Sequence, residues 1–261
     1  MRALSIAATG MMAQQTNVEV ISNNIANMNT TAFQRARAEF TDLFYETERR
    51  QGAESTDAGN IIPAGIQIGL GVKTTAVRRV ALQGSLMETG NTFDLALQGR
   101  GYFMIDLPNG ETAYTRAGAF QKSPEGQLVT ADGFLLQPGI AIPDNAIDVT
   151  VNQSGQVFAT VPDQVEPVNV GQIQIAVFAN EIGLDALGDN LFAETTASGA
   201  PVVGVPSDDG FGKIRHKFLE SSNVNSVQEI TDLISAQRAY EMNSKVIETA
   251  DQMSSTVTNM R

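Results

Sequence analysis

The stretch Val20 to Phe33, VISNNIANMNTTAF, closes an apolar run of helical period and crowds Asn23, Asn24, Asn27 and Asn29 onto its tail, with Ser22, Thr30 and Thr31. Such side chains compete for nearby backbone groups and are mediocre helix formers. Upstream, Leu4, Met11, Val18 and Ile25 recur every seventh residue, and Ala7, Gln14, Ile21 and Met28 form a companion row. These are the a and d positions of a coiled-coil seam, and they predict a helical rod over residues 3–28, about 40 Å long. Gly10 lies inside it at a cost of up to about 1 kcal/mol relative to Ala. On this count Ile21, Ile25 and Met28 face the seam, while Asn23 and Asn27 face outward. The amides are then placed to bond a third element, either another copy or the chain leaving the helix, because Asn both donates and accepts. C-capping by an Asn in the left-handed conformation is the plainer reading of Asn27 or Asn29. It accounts poorly for Asn23 and Asn24, which lie within the helix.

The other end of the chain has the same character. Val246, Met253 and Met260 recur by seven beside Ala250 and Val257, and Val227, Ile230, Leu233 and Ile234 continue an apolar face. Glu241 precedes Lys245 by four, the favourable ion-pair order. A helix over 226–258 is expected, with Asn225 or Ser226 as its N-cap. Each helix is thin and terminal. The apolar stripes either pack on the chain's own sheet, or pair with each other and with neighbouring copies.

Between them the sequence reads as β. Strand-like runs from Phe93 to Gly139 are punctuated by Asn109-Gly110, Glu125-Gly126 and Asp132-Gly133, turn signals that tolerate positive φ. Further strands are expected at 147–151, 156–161 and 172–179, which suggests an antiparallel barrel or sandwich. Residues 46–70 are polar and weakly periodic, a disordered loop or an extended arm ordered by a neighbour. The fold class expected is therefore α+β. Long terminal helices (1–35 and 222–261) pair into one coiled-coil domain, 36–75 form an extended connector, and 76–221 an antiparallel β-rich domain.

The chain has 261 residues and no Cys, which excludes disulfides and Cys-ligated metals. Its formal net charge is −12. Residues 51–220 hold nine basic and nineteen acidic groups, whereas the ends are near neutral; nucleic-acid binding wants the opposite sign. The acidic middle reads first as a solvated face. No secretory signal or membrane span is evident in the sequence, so the chain is expected in the cytoplasm, or exported by a route without a cleaved signal.

Three stretches in order carry a resemblance. SNNIANMNTTAF resembles the SNN-x-AN-x-NT signature of flagellar rod and hook proteins. GNTFDLALQGRGYFMI is similar to that family's mid-chain motif, and SNVNSVQEITDLISAQRAYEMNSKVIETADQM to its C-terminal helix. The length and TAYTRAGAFQ resemble most the distal-rod branch; a proximal-rod subunit is the nearest alternative. Ala32 stands where Gly is usual before the aromatic, and would be strained if the turn needs positive φ. The resemblance implies a homopolymer, a hollow helical drive shaft with the terminal helices inside and the β domain outside. It implies periplasmic placement after export through the flagellar type III apparatus. The implied partners are proximal rod proteins, the hook side, and the ring bushing of the cell wall and outer membrane. Assembly residues are then expected at Leu4, Met11, Val18, Ile21, Ser22, Asn23, Asn24, Ile25, Asn27 and Met28. On the C-terminal helix they are expected at Ile230, Ile234, Arg238, Tyr240, Asn243, Val246, Ala250, Met253, Val257 and Met260.

Enzymatic chemistry finds little material. The sole His is His216, so the common nucleophile–base triads and His-rich metal sites lack components. Asp208-Asp209-Gly210 lacks the ligand spacing of a calcium loop, and Gly69-Leu70-Gly71 lacks the context of a dinucleotide fold. No catalytic residue, metal or cofactor is expected. The competing class is a secreted β-rich binding protein or adhesin with coiled-coil ends.

Overall fold

The computed structural model describes residues 2–51, 64–162 and 166–259. The chain forms two compact units. One gathers residues 1–26, 36–78 and 225–261; the other gathers 27–35 and 79–224. The sequence drew its boundaries after residues 35, 75 and 221. In the structure the connector belongs with the helices, and the turn at 27–35 belongs with the β unit.

The first unit is built on α1 (Arg2–Ala26) and α2 (Ser226–Asn259). The N-terminal helix stops two residues short of the expected end, so Met28 lies beyond it and is exposed. Asn225 caps α2: its Oδ1 accepts the N–H groups of Val227 (3.1 Å) and Gln228 (3.3 Å), two of the four donors a helix start leaves unpaired.

Residues 36–79 supply β1 (Ala36–Asp42), β2 (Tyr45–Arg49), β3 (Ile66–Gly69) and β4 (Val72–Arg79). β1 pairs with β4 and β2 with β3, so the connector is a two-stranded ribbon doubled back on itself. Thr9 docks it on α1: its hydroxyl accepts the Val72 N–H at 3.4 Å. Gly71, at φ 124°, comes so close that a Cβ there would lie 2.2 Å from that hydroxyl. Arg2 adds exposed ion pairs to Glu46 (3.3 Å) and Glu48 (2.5 Å), worth little in water. The described ends of the expected 46–70 arm are thus β-paired; the segment 52–63 lies outside the described residues.

The second unit is antiparallel β, as the turn signals indicated. Tyr102–Asp106 pairs with Thr112–Thr115 and with Leu135–Gln137 inside a nine-stranded sheet. Gly110, Gly126 and Gly133 all close their hairpins at positive φ. The expected strands at 147–151 and 156–161 appear as Asp148–Val151 and Gln156–Thr160; that at 172–179 is shorter, Ile175–Val177. Alternate side chains Leu95, Leu97, Phe103, Ile105, Phe120 and Ile175 fill the core. A second cluster stacks Tyr102, Tyr114, Phe178 and Phe192 edge to face. No helix among the described residues is long and apolar enough to cross a membrane.

Candidate assembly site

The two helices run antiparallel along each other. Asn24 bonds Glu229, and Gly10 lies against Asn243; one number falls by fourteen as the other rises by fourteen. The same count places Asn17 opposite Ala236 and Ala3 opposite Ala250. Small and polar side chains therefore form the shared row. Ala236, Ala250, Asn24 and Glu229 are all buried. A Cβ at Gly10 would stand 2.9 Å from the Asn243 amide nitrogen, so the glycine that weakens the helix lets the partner approach.

This places the expected seam differently. On α1, Ile21 is buried, but Leu4, Met11, Val18 and Ile25 are only partly covered; Ala7 and Ala13 are the other buried apolar residues. On α2, Ile230, Ile234, Tyr240, Val246 and Met253 all lie exposed, with Arg238 beside them, whereas Asn243 is half-buried and Ala250 buried. Val257 lies on α2 near its end, and Met260 lies outside the described residues. Large apolar side chains face outward because the close row needs small ones.

The outward chains form two patches. Val227 (73 % exposed), Ile230 and Ile234 sit at helical spacing near the start of α2. Met242 (62 %), Val246 and Met253 (63 %) sit further along, about 105° round the axis at 100° per residue. Met12 is similarly exposed on α1.

The crowded amides also find their answer. Ser22 and Asn23 are on the exposed face of α1, but Asn24 is 1 % exposed. Its Nδ2 donates to the Ala36 carbonyl (2.8 Å) and to Glu229 Oε2 (3.1 Å), and its Oδ1 accepts the Ala36 N–H (2.8 Å). The expectation that these amides avoid the helix–helix contact fails for Asn24. The alternative held open for them, bonding the chain that leaves the helix, is what Asn24 does. Asn27 closes a turn: its carbonyl accepts the Thr30 N–H and its Oδ1 accepts the Thr30 hydroxyl, both at 3.1 Å. The left-handed residue is Ala32 (φ 57°), not an Asn. Its N–H donates to the Glu220 carbonyl at 2.8 Å, and that bond holds the strained conformation the sequence flagged.

Two polar nodes inside the β unit escaped the sequence reading. Asn223 accepts the Arg35 N–H (2.7 Å) and donates to the carbonyls of Val80 (3.0 Å) and Leu82 (2.8 Å). It ties three separate passes of the chain, all within that unit. Arg116 and Glu220 form a buried ion pair at 2.9 Å. The guanidinium also donates to the carbonyls of Gly99 (3.0 Å) and Gly101 (3.2 Å), and Glu220 Oε1 accepts the Gly84 N–H at 2.9 Å. The motifs LQGRGYF and YTRAGAF are thus two sides of one contact. An arginine set in an apolar, Gly-containing run, YTRAGAF, was the available signal. Tyr102 lies near this pair. Burial, and then the Glu181 charge, hold its phenol above the ordinary value; burial and Glu194 do the same to Tyr114.

Against known proteins, residues 4–34 match the family described as flagella basal body rod protein. Residues 96–159 match the D1 domain of the flagellar hook protein FlgE/F/G, and residues 215–260 the C-terminal region of the basal body rod FlgEFG proteins. The flagellar basal-body rod protein FlgG of Agrobacterium fabrum is 59 % identical over 257 residues, 98 % of each chain. The chain belongs to the flagellar basal-body rod protein family. That of Caulobacter vibrioides is 57 % identical over 261 residues, the full length of both. The rod protein FlgF of the same organism is 33 % identical, covering 97 % of this chain and 94 % of its own. The chain is therefore a structural rod subunit on the FlgG side of the family, in a structure whose rod lies in the periplasmic part of the flagellum. No enzymatic family is indicated by these matches.

Proposed function

We propose that the chain polymerises through α1 and α2 into a hollow, rigid helical shaft forming the distal rod. The shaft turns with the motor, carries torque across the periplasm to the hook, and passes exported subunits through its lumen. The observation that carries this reading is the pair of apolar patches on α2. A helix that buries its small side chains within the chain and presents Val227, Ile230, Ile234, Met242, Val246 and Met253 outside leaves its largest hydrophobic term unspent, about 25 cal/mol per Å² once covered. Neighbouring copies supply the cover. Patches on different faces of one helix meet different neighbours, a heterologous arrangement that generates open helical filaments. In the filament the helices of adjacent copies pack as a coiled-coil-like inner layer, with the acidic β units outside. The ribbon of β1–β4, with Phe44 and Tyr45 exposed, bridges adjacent copies and stiffens the wall.

The proximal rod below, the hook side above and a ring bushing around the shaft complete the set of partners, and export uses the flagellar type III apparatus. The test replaces Ile230 and Ile234 together by Glu in the full chain. Loss of polymer on sedimentation, with an unchanged far-UV circular dichroism spectrum of the monomer, is expected. Polymer at wild-type yield refutes the reading.

A further inference from the structure

Sulfur in this chain is all methionine: nine Met and no Cys. The most exposed of the described methionines include Met12, Met242 and Met253, which lie on the two helices, and Met87, which lies in the β unit at 56 % exposure. By contrast Met104, within the sheet, is 6 % exposed. Met242 and Met253 flank Val246 on one side of α2, so two of the three side chains in that patch are oxidisable thioethers.

We propose that Met242 and Met253, with Met12 on α1, are peroxide-oxidation sites that close the assembly surface when oxidised and that assembly itself protects. The inference rests on the assembly reading above. The thioether sulfur attacks one oxygen of a hydroperoxide and the O–O bond breaks. That oxygen stays on sulfur as the sulfoxide, and the other leaves as water, or as the alcohol of an organic peroxide. Sulfur is oxidised by two electrons and the peroxide is reduced by two. The product is a polar, chiral group in place of a flexible apolar one, and burying it against an apolar neighbour strands a strong acceptor. With no thiol in the chain to react first, oxidant reaches these thioethers while the subunit is alone. Once the patch is covered, oxidant access is lost. Because sulfoxides are reduced enzymatically, the block is reversible.

The experiment treats the full-length monomer and preformed polymer with hydrogen peroxide and reads the oxygen gained by each methionine peptide in a mass spectrometer. In the monomer, Met242 and Met253 oxidise about tenfold faster than Met104, following their accessibility; in the polymer that advantage disappears. Oxidised monomer keeps its far-UV spectrum, and its critical concentration for polymerisation rises about tenfold or more. In the variant Met12→Leu/Met242→Leu/Met253→Leu the critical concentration, whatever its untreated value, does not rise on peroxide treatment although Met87 is oxidised. Unchanged polymerisation of wild type at full oxidation of Met242 and Met253 overturns the proposal, as does equal inhibition of the triple variant. Either result leaves the assembly reading intact, whereas untreated wild type that never polymerises sinks both.

Discussion

Asn24→Ala is the sharpest single perturbation of the helical unit. The side chain is buried and makes three hydrogen bonds, one to a carboxylate. A neutral bond contributes about 1 kcal/mol net and a charged one about 2. Removing the amide also strips partners from the Ala36 backbone. Ala36 is half-buried, so water recovers part of that loss. The sum is a destabilisation of about 3 kcal/mol, a large share of the roughly 5–15 kcal/mol that a domain has in total. With a urea dependence of about 2 kcal/mol per molar, the midpoint falls by about 1.5 M. Among the described residues the α-helices are α1 and α2, so the helical signal in far-UV circular dichroism follows this unit specifically. Ser22→Ala, two residues away on the exposed face, should move the midpoint by less than about 0.3 M. The reasoning is refuted by an Asn24→Ala midpoint that coincides with that of Ser22→Ala. Assembly should follow stability, with Asn24→Ala polymer yield reduced while the β unit survives limited proteolysis.

Arg116→Met strands the Glu220 carboxylate inside the β unit, which costs about 3–5 kcal/mol and lowers that unit's melting temperature by about 10 °C; Arg116→Met/Glu220→Met should recover most of it, and a double variant worse than the single one would contradict the pairing. At Ala32, glycine relieves a left-handed strain of about 1–2 kcal/mol but loses a buried methyl and gains unfolded-state freedom of similar size. Calorimetry should therefore show little change for Ala32→Gly and a clear loss for Ala32→Val, whose branched Cβ suits positive φ least. Tyr102 sets an alkaline limit. Its phenol ionises later in the folded chain than the ordinary 10.0 of the unfolded one. Its stabilising contribution is thus complete below that value and is lost as pH rises through the folded value. Tyr102→Phe should flatten the fall in urea midpoint between about pH 9 and 11, and an unchanged slope would count against burial as the cause.

Much of this fold was legible because its signals are local. The heptad spacing located both helices within a few residues, Asn225 announced its cap, and Asn-Gly, Glu-Gly and Asp-Gly marked three hairpins that close where they stand. What stayed hidden depends on distance along the chain. Arg116 and Glu220 are 104 residues apart and Asn24 and Glu229 are 205 apart. No window on the sequence holds both partners. The choice of helix face was hidden for a different reason. Periodicity shows that a stripe exists, but not which of several seven-residue rows meets the partner inside the chain. Taking the largest apolar residues as the row that meets the partner helix is sound for a chain that keeps its surfaces to itself; here those residues of α2 face outward and a row of small and polar ones lies against α1.

That reversal bears on how a subunit avoids satisfying itself. Had Ile230, Ile234, Val246 and Met253 met α1, the pair would bury most of its apolar surface within one copy and leave little to drive stacking. The row Ala3, Gly10, Asn17 and Asn24 against Glu229, Ala236, Asn243 and Ala250 brings the backbones close but covers few carbons. Its polar members at Asn24–Glu229 and Asn243 fix the register of the antiparallel pair, the best-attested use of buried polar groups. Such a pair is ordered enough to present two apolar flanks at a defined angle, and in the polymer proposed above most of its burial would come from neighbours. An isolated helix is marginal in water, so in that polymer each copy added would stabilise a thin two-helix unit on this row. Stiffness would then follow from the same residues as growth, since every apolar side chain that recruits a neighbour would also lock it in place.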